Sequence, residues 1–216
     1  MVLKEKYLQF IPPFTMMVSG PSCSGKTNLI RRILKNHKTL IPSKKPFLTV
    51  LWIYGQYQEI YKEEIPNVRL IYHKGLPEKE KLLKYSPDIV VIDDLMNEVS
   101  DDKKFRNLFT KGSHHLNLNV IFITQNLFQM RNIHLNSHYL ILMRNPRDAS
   151  QIDVLGRQMK ISKQLSEAYN DATSKPYGYL VIDLKQETPR EFMLRTQITP
   201  EETIKREFEP IIYKIK

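Results

Sequence analysis

The 216 residues include one cysteine (Cys23), one tryptophan (Trp52) and only seven glycines. A single cysteine excludes an intrachain disulfide framework and fits a reducing compartment. No apolar run approaches the roughly 20 residues that a membrane-crossing helix needs, so no membrane partner is expected. The start of the chain carries Lys4, Glu5, Lys6 and two prolines. It has no apolar stretch ending in a small-residue cleavage site, so secretion is not expected and the chain reads as intracellular. Acid is scarce over residues 1–45. There nine basic residues (Lys4, Lys6, Lys26, Arg31, Arg32, Lys35, Lys38, Lys44, Lys45) face Glu5 alone, in a chain of formal charge +10. Such a field favours polyanions, nucleic acid above all, and is equally compatible with a solubilising face.

Hydrophobic residues make up 41% and charged residues 26%, which is globular rather than disordered material. The length suits a single domain over residues 1–216, and no repeat or linker divides it. Short apolar runs alternate with helical patterns, so the expected class is α/β, a mostly parallel sheet with helices on both faces. The apolar runs place strands at 16–19, 49–54, 68–72, 89–92, 120–123 and 139–143. The helical patterns cover 26–36, 78–84, a segment marked by Phe105, Leu108 and Phe109, then 149–159 and 162–172. Residues 132–137 read as a loop. A C-terminal β-hairpin is expected, 179–184 against 192–196, turning at Glu187-Thr188-Pro189. The helix at 26–36 puts Leu29, Ile30, Ile33 and Leu34 on one face. Arg31, Lys35 and Lys38 form a basic stripe off that face.

The chemistry begins at Gly20-Pro21-Ser22-Cys23-Ser24-Gly25-Lys26-Thr27, which matches G-x-x-x-x-G-K-[ST] in full. Glycines let backbone N–H groups turn inward around a phosphate, and the positive end of the following helix closes the nest. Lys26 would reach the β- and γ-phosphates of ATP, and the Thr27 hydroxyl would hold Mg²⁺. Cys23 occupies a free position of the motif and is read as a loop residue, not a nucleophile. A second motif follows at 88–94, where an apolar strand delivers Asp93 to the sheet edge to hold the magnesium, with Asp94 placed as a general base. Strands between the two motifs point to the RecA/ASCE-like P-loop NTPases, in which a further strand separates them. A third apolar strand, ending Thr124-Gln125-Asn126, can present the Gln125 amide to the γ-phosphate or the attacking water.

Four stretches, GPSCSGKT, VIDDLMNE, LFTKGSHHLNLNVIFITQNLF and LNSHYLILMRNPRDASQI, together resemble the FtsK/HerA superfamily. Within it they look like the genome-packaging ATPases of poxviruses and giant viruses, and most of all the versions of adintoviruses and Polinton elements. The resemblance implies a homo-oligomeric ring of five or six subunits that hydrolyses ATP to pump double-stranded DNA into a capsid. The ring would dock on a capsid protein or portal vertex, in the host cytoplasm or nucleus or associated with the virion. It also implies that Lys26 and Thr27 are the phosphate-loop pair, Asp93 the magnesium acid and Gln125 the sensor amide.

Two departures stand out. Asp94 falls where relatives often have glutamate, with Glu98 as a backup base. His114, beside His115, stands where relatives commonly have the arginine that reaches a neighbour's nucleotide. Arg147, in Asn145-Pro146-Arg147-Asp148, is the first candidate to replace it, ahead of Arg106, Arg131 and Arg144. His134 and His138 are not read as a metal pair. Tyr54, Tyr57, Tyr61 and Tyr72 are read as packing or surface aromatics rather than a base-stacking platform. Two other functions remain open: a small-molecule P-loop kinase and a nucleotide-binding capsid-assembly scaffold with little turnover.

Overall fold

The computed structural model describes residues 7–43, 45–95, 118–128, 131–202 and 209–215. Within these, nine strands form one sheet: β1 (Thr15–Ser19), β2 (Leu48–Tyr54), β3 (Val68–Lys74), β4 (Ile89–Asp93), β5 (Asn119–Thr124), β6 (Tyr139–Met143), β7 (Tyr179–Asp183), β8 (Leu194–Thr196) and β9 (Ile211–Tyr213). Their order across the sheet is β3-β2-β4-β5-β1-β6-β7-β8-β9. The first six positions pair in parallel, and β7, β8 and β9 add on in antiparallel fashion. The fold is therefore the expected α/β class. As anticipated, β5 separates the strand before the glycine-rich loop from the strand that ends in Asp93.

Strand alternation divides the core. Met17, Leu51, Ile53, Val90, Ile92, Val120 and Phe122 face one layer, with Ile152, Leu155, Leu165 and Ala168. These last four come from α5 (Ser150–Met159) and α6 (Ser162–Ala172). Met16, Val18, Val50, Trp52, Val91, Ile121 and Ile123 face the other, against Leu29, Ile30, Ile33 and Leu34 of α1 (Lys26–Lys35). Because residues in sequence alternate between layers, both faces of the central strands are dry, which is why they read as continuous apolar runs. Full burial of each α1 side chain is worth about 1.5–3 kcal/mol, enough to fix where the helix begins.

Three expectations need correcting. Residues 132–137 are not all loop, since α4 spans Arg131–Leu135 after the short α2 (His37–Leu40) and α3 (Lys79–Tyr85). The hairpin exists as β7 and β8, but β8 is only three residues long and a third strand, β9, extends it. Arg31 belongs to no exposed stripe. It is 7% exposed, donates from Nη1 to the Tyr72 hydroxyl (3.1 Å) and from Nη2 to the Glu63 carbonyl (2.7 Å), and lies 3.8 Å from the Glu63 carboxylate. The cause is packing on both sides of α1: the sheet takes its apolar face, and the turn before β3 covers the flank that carries Arg31. Three more of the N-terminal basic residues are also paired, Arg32 with Glu202 (3.1 Å), Lys35 with Glu201 (3.3 Å) and Lys45 with Asp88 (2.5 Å).

At the antiparallel edge one ion pair is wholly buried. Arg195 Nη1 donates to Asp183 Oδ2 at 2.9 Å, and the guanidinium carbon lies 5.6 Å from the Phe10 ring centroid. The Asp183 Oδ1 atom accepts from the Lys185 N–H and the Thr188 hydroxyl. No helix among the described residues is long and apolar enough to cross a membrane.

Candidate nucleotide site

The register of the parallel strands assembles the site. Ser19 at the end of β1 lies opposite Thr124 at the end of β5, and Ile123 of β5 lies opposite Asp93 of β4. Three strands therefore deliver three motifs to one edge of the sheet, where parallel α/β folds place ligands. A cavity of about 530 Å³ opens there, lined by the loop from Ser22 through Thr27 and by Asp93, Asp94, Gln125 and Tyr177.

The loop is shaped at both ends. Gly20 sits so close to β6 that a Cβ would meet the Cβ of Met143 at 2.6 Å, which excludes any side chain. Gly25 takes φ 91°, a left-handed conformation that L side chains rarely adopt, and directs the chain into α1. No side chain caps that helix and its first turn holds no acid, so its N-terminal N–H groups keep their capacity for an anion. The Ser24 hydroxyl is buried in the loop without a partner among the described residues.

Lys26 Nζ donates to the carbonyls of Gly20 (2.7 Å) and Pro21 (2.8 Å). An ammonium has three protons, so one remains for a ligand. Gly20 and Pro21 thus serve the loop through their carbonyls and do not themselves line the cavity. The Thr27 hydroxyl donates to Asp93 Oδ2 at 3.3 Å. A second, shorter hydrogen bond to the same oxygen comes from Tyr61 at 3.0 Å. Burial lowers the pKa of Lys26, with Asp93 and Asp94 pulling it back up. Burial raises that of Asp93, opposed by the hydrogen bonds from Tyr61 and Thr27. Each charge costs free energy where it stands, and a ligand of opposite sign would relieve that cost. Hydroxyl and carboxylate oxygens side by side form a donor set suited to a hard divalent cation such as Mg²⁺.

Asp94 is exposed and left-handed (φ 57°), and its Oδ1 accepts from Gln125 Nε2 at 3.4 Å. The structure thus brings Lys26, Thr27, Asp93, Asp94 and Gln125 together, with Cys23 (exposed, φ 61°) on the loop beside them. Arg147 stays outside the cavity lining. It is exposed on the loop after β6, its N–H donating to Asn145 Oδ1 at 3.2 Å. Glu98, Arg106, His114, His115 and the helix marked by Phe105, Leu108 and Phe109 lie outside the described residues.

Tyr61 is the contributor that sequence reasoning missed. It is 5% exposed, stacks on Tyr72 at 4.9 Å and packs against Trp52 and Tyr54. The tyrosines do pack, as expected, but one of them spends its hydroxyl on Asp93.

The sequence matches no protein-family model and no curated protein. Solved structures do match. The DNA-packaging ATPase of Sulfolobus turreted icosahedral virus aligns with a TM-score of 0.56 at 15% identity, covering 86% of this chain and 97% of that one. The genome-packaging NTPase of Sulfolobus turreted icosahedral virus 2, in complex with ATP-gammaS, gives 0.54 at 14% identity over 79% of this chain and 92% of that one. ATPases 2 and 3 of EssC from Geobacillus thermodenitrificans give 0.50 at 13% identity, covering 67% of this chain and 34% of that one. The fold is one shared with viral genome-packaging NTPases and another ATPase.

Proposed function

We propose that this chain is an ATPase that hydrolyses ATP at the loop between β1 and α1, and that it acts as a ring motor packaging double-stranded DNA. The observation that carries the reading is the convergence of Lys26, Thr27, Asp93, Asp94 and Gln125 on one cavity from three strand ends. In this reading the loop N–H groups and the uncapped start of α1 hold the phosphates. The free proton of Lys26 binds the terminal phosphate oxygens. Thr27 and Asp93 would hold Mg²⁺, which when bound neutralises charge developing between the β- and γ-phosphates. Gln125 orients the attacking water and Asp94 takes its proton as the water oxygen bonds to phosphorus and the bond to ADP breaks. Arg147, exposed and outside its own cavity, would supply the cation that reaches a neighbouring subunit's γ-phosphate in the ring.

The DNA part of the proposal is supported by the fold likeness to viral packaging ATPases and by the net charge of +10. The pairing of Arg31, Arg32 and Lys35 argues against α1 as the DNA-binding face. The test is Mg²⁺-dependent ATP hydrolysis with and without duplex DNA, beside a sedimentation measurement of oligomer size. The expected result is DNA-stimulated turnover by a ring, falling on the order of 10³-fold in Lys26→Ala. Hydrolysis unchanged in that variant would overturn the site. Hydrolysis by a monomer indifferent to DNA would overturn the motor.

A further inference from the structure

One aromatic on the cavity wall lies outside the apolar core and enters none of the phosphate chemistry. Tyr177 is 66% exposed, although its ring is large and apolar enough to favour burial. Its backbone is left-handed (φ 61°), a conformation uncommon for a bulky residue and one that costs free energy. Its surroundings hold it there. The turn between α6 and β7 closes with Gly178 N–H donating to the Lys175 carbonyl (3.1 Å), and the Arg144 N–H donates to the Gly178 carbonyl (2.9 Å). Gly178 lies so near the end of α6 that a Cβ would stand 2.5 Å from the Ala172 carbonyl oxygen. The next residue, Tyr179, is buried as the first of β7. The turn is therefore held in place, and the ring lies against the loop, its Cδ1 3.2 Å from where a Cβ of Gly25 would stand.

Position along the sheet decides what the ring can meet. Asp93 closes β4 and Asp94 follows it, on one side of β1, whereas Tyr177 precedes β7, beyond β6 on the other side. On the reading given above, the terminal phosphate points toward the acids. The opposite end of the nucleotide then runs toward β7, and that end is the base. We propose that Tyr177 forms the base site of this nucleotide pocket, presenting its ring as a stacking face for a purine. A ring face reads the π surface of a base and not its hydrogen-bonding edge. The site therefore prefers purines to pyrimidines and separates adenine from guanine only weakly.

The test compares binding of Mg²⁺ complexes of a non-hydrolysable ATP analogue and of inorganic tripolyphosphate, by calorimetry on the full chain. Base–aromatic stacking is worth about 1–3 kcal/mol by alanine substitution, so Tyr177→Ala should weaken the ATP analogue about 5- to 150-fold. Tripolyphosphate affinity should stay within about twofold, and Tyr177→Phe should keep the parent's affinity for both. The parent should bind the matching GTP analogue within a few-fold of the ATP analogue, and the CTP analogue more weakly. Equal losses for the ATP analogue and tripolyphosphate, or no loss for either, would overturn the base site while leaving the phosphate site standing. A parent that binds neither ligand would overturn the nucleotide reading itself, and the base site with it.

Discussion

Two pairs of opposite charges, each withdrawn from water, are handled in opposite ways in this molecule. At the antiparallel edge, Arg195 meets Asp183 directly at 2.9 Å, with backbone and hydroxyl donors filling the other carboxylate oxygen. At the C-terminal ends of the central parallel strands, Lys26 and Asp93 make no ion pair. The ammonium rests on two carbonyls, and the carboxylate accepts from two hydroxyls. Both arrangements pay for dehydration, and Arg195 even leaves Nε and Nη2 without partners among the described residues. Only the first cancels its charge locally. A matched pair can do little except hold β7 and β8 together, whereas charges kept on neutral partners remain available to a ligand.

The contrast can be broken first on its matched side. Asp183→Asn leaves the Arg195 guanidinium buried against a neutral amide, and stability should fall by about 3–5 kcal/mol in denaturant unfolding. Nucleotide affinity, measured where the variant is still folded, should not change. A loss below about 1 kcal/mol would mean that the pair contributes little more than an exposed one. On the unmatched side, Asp94→Asn keeps the shape of the strand end but removes the proton acceptor. Turnover should drop at least ~10²-fold with ATP affinity kept, read by steady-state hydrolysis beside equilibrium binding. If hydrolysis persists in that variant and is lost in Glu98→Gln, the base is Glu98. The smallest effect sharpens the contrast: Tyr61→Phe keeps the ring stack and deletes one of the two hydrogen bonds that aim Asp93. Partners that orient a metal ligand are worth roughly 10–100-fold in metal affinity. About tenfold more Mg²⁺ should be needed for half-maximal nucleotide binding, with little change in melting temperature. An unchanged Mg²⁺ requirement would leave Tyr61 as a packing residue.

What the sequence disclosed was local. The loop pattern, the apolar strands before Asp93 and Gln125, and the faces of α1, α5 and α6 each write their signal within a dozen residues. Of the order of the parallel strands, the spacing of the motifs indicated only that a further strand separates the two motif strands. Contacts between distant segments were not legible. Tyr61 reaches Asp93 across 32 positions from a single 3₁₀ turn (Glu59–Lys62), and one tyrosine among several carries no mark of which hydroxyl is used. Arg31 looked solvated because helical periodicity shows only the face toward the sheet and cannot show a second layer over the flank. The five residues of α4 and the three of β9 are too short for either period to emerge. Tyr177 was silent for a further reason: an exposed aromatic in a turn becomes informative only when its neighbour is known to be Gly25.

The left-handed residues Cys23, Asp94 and Tyr177 all border one cavity, and that bears on how such a chain can change over generations. Each carries a conformational cost of roughly 1–2 kcal/mol that glycine would largely remove and asparagine would reduce. A lineage pressed by heat therefore has three nearby sites at which to gain stability, and they are not equally open to it. Position 23 can drift, since its side chain enters none of the proposed chemistry. Replacement at 177 would give up grip on the nucleotide to gain heat resistance. At 94 the trade would cost turnover itself, so the strain there is the most firmly retained of the three.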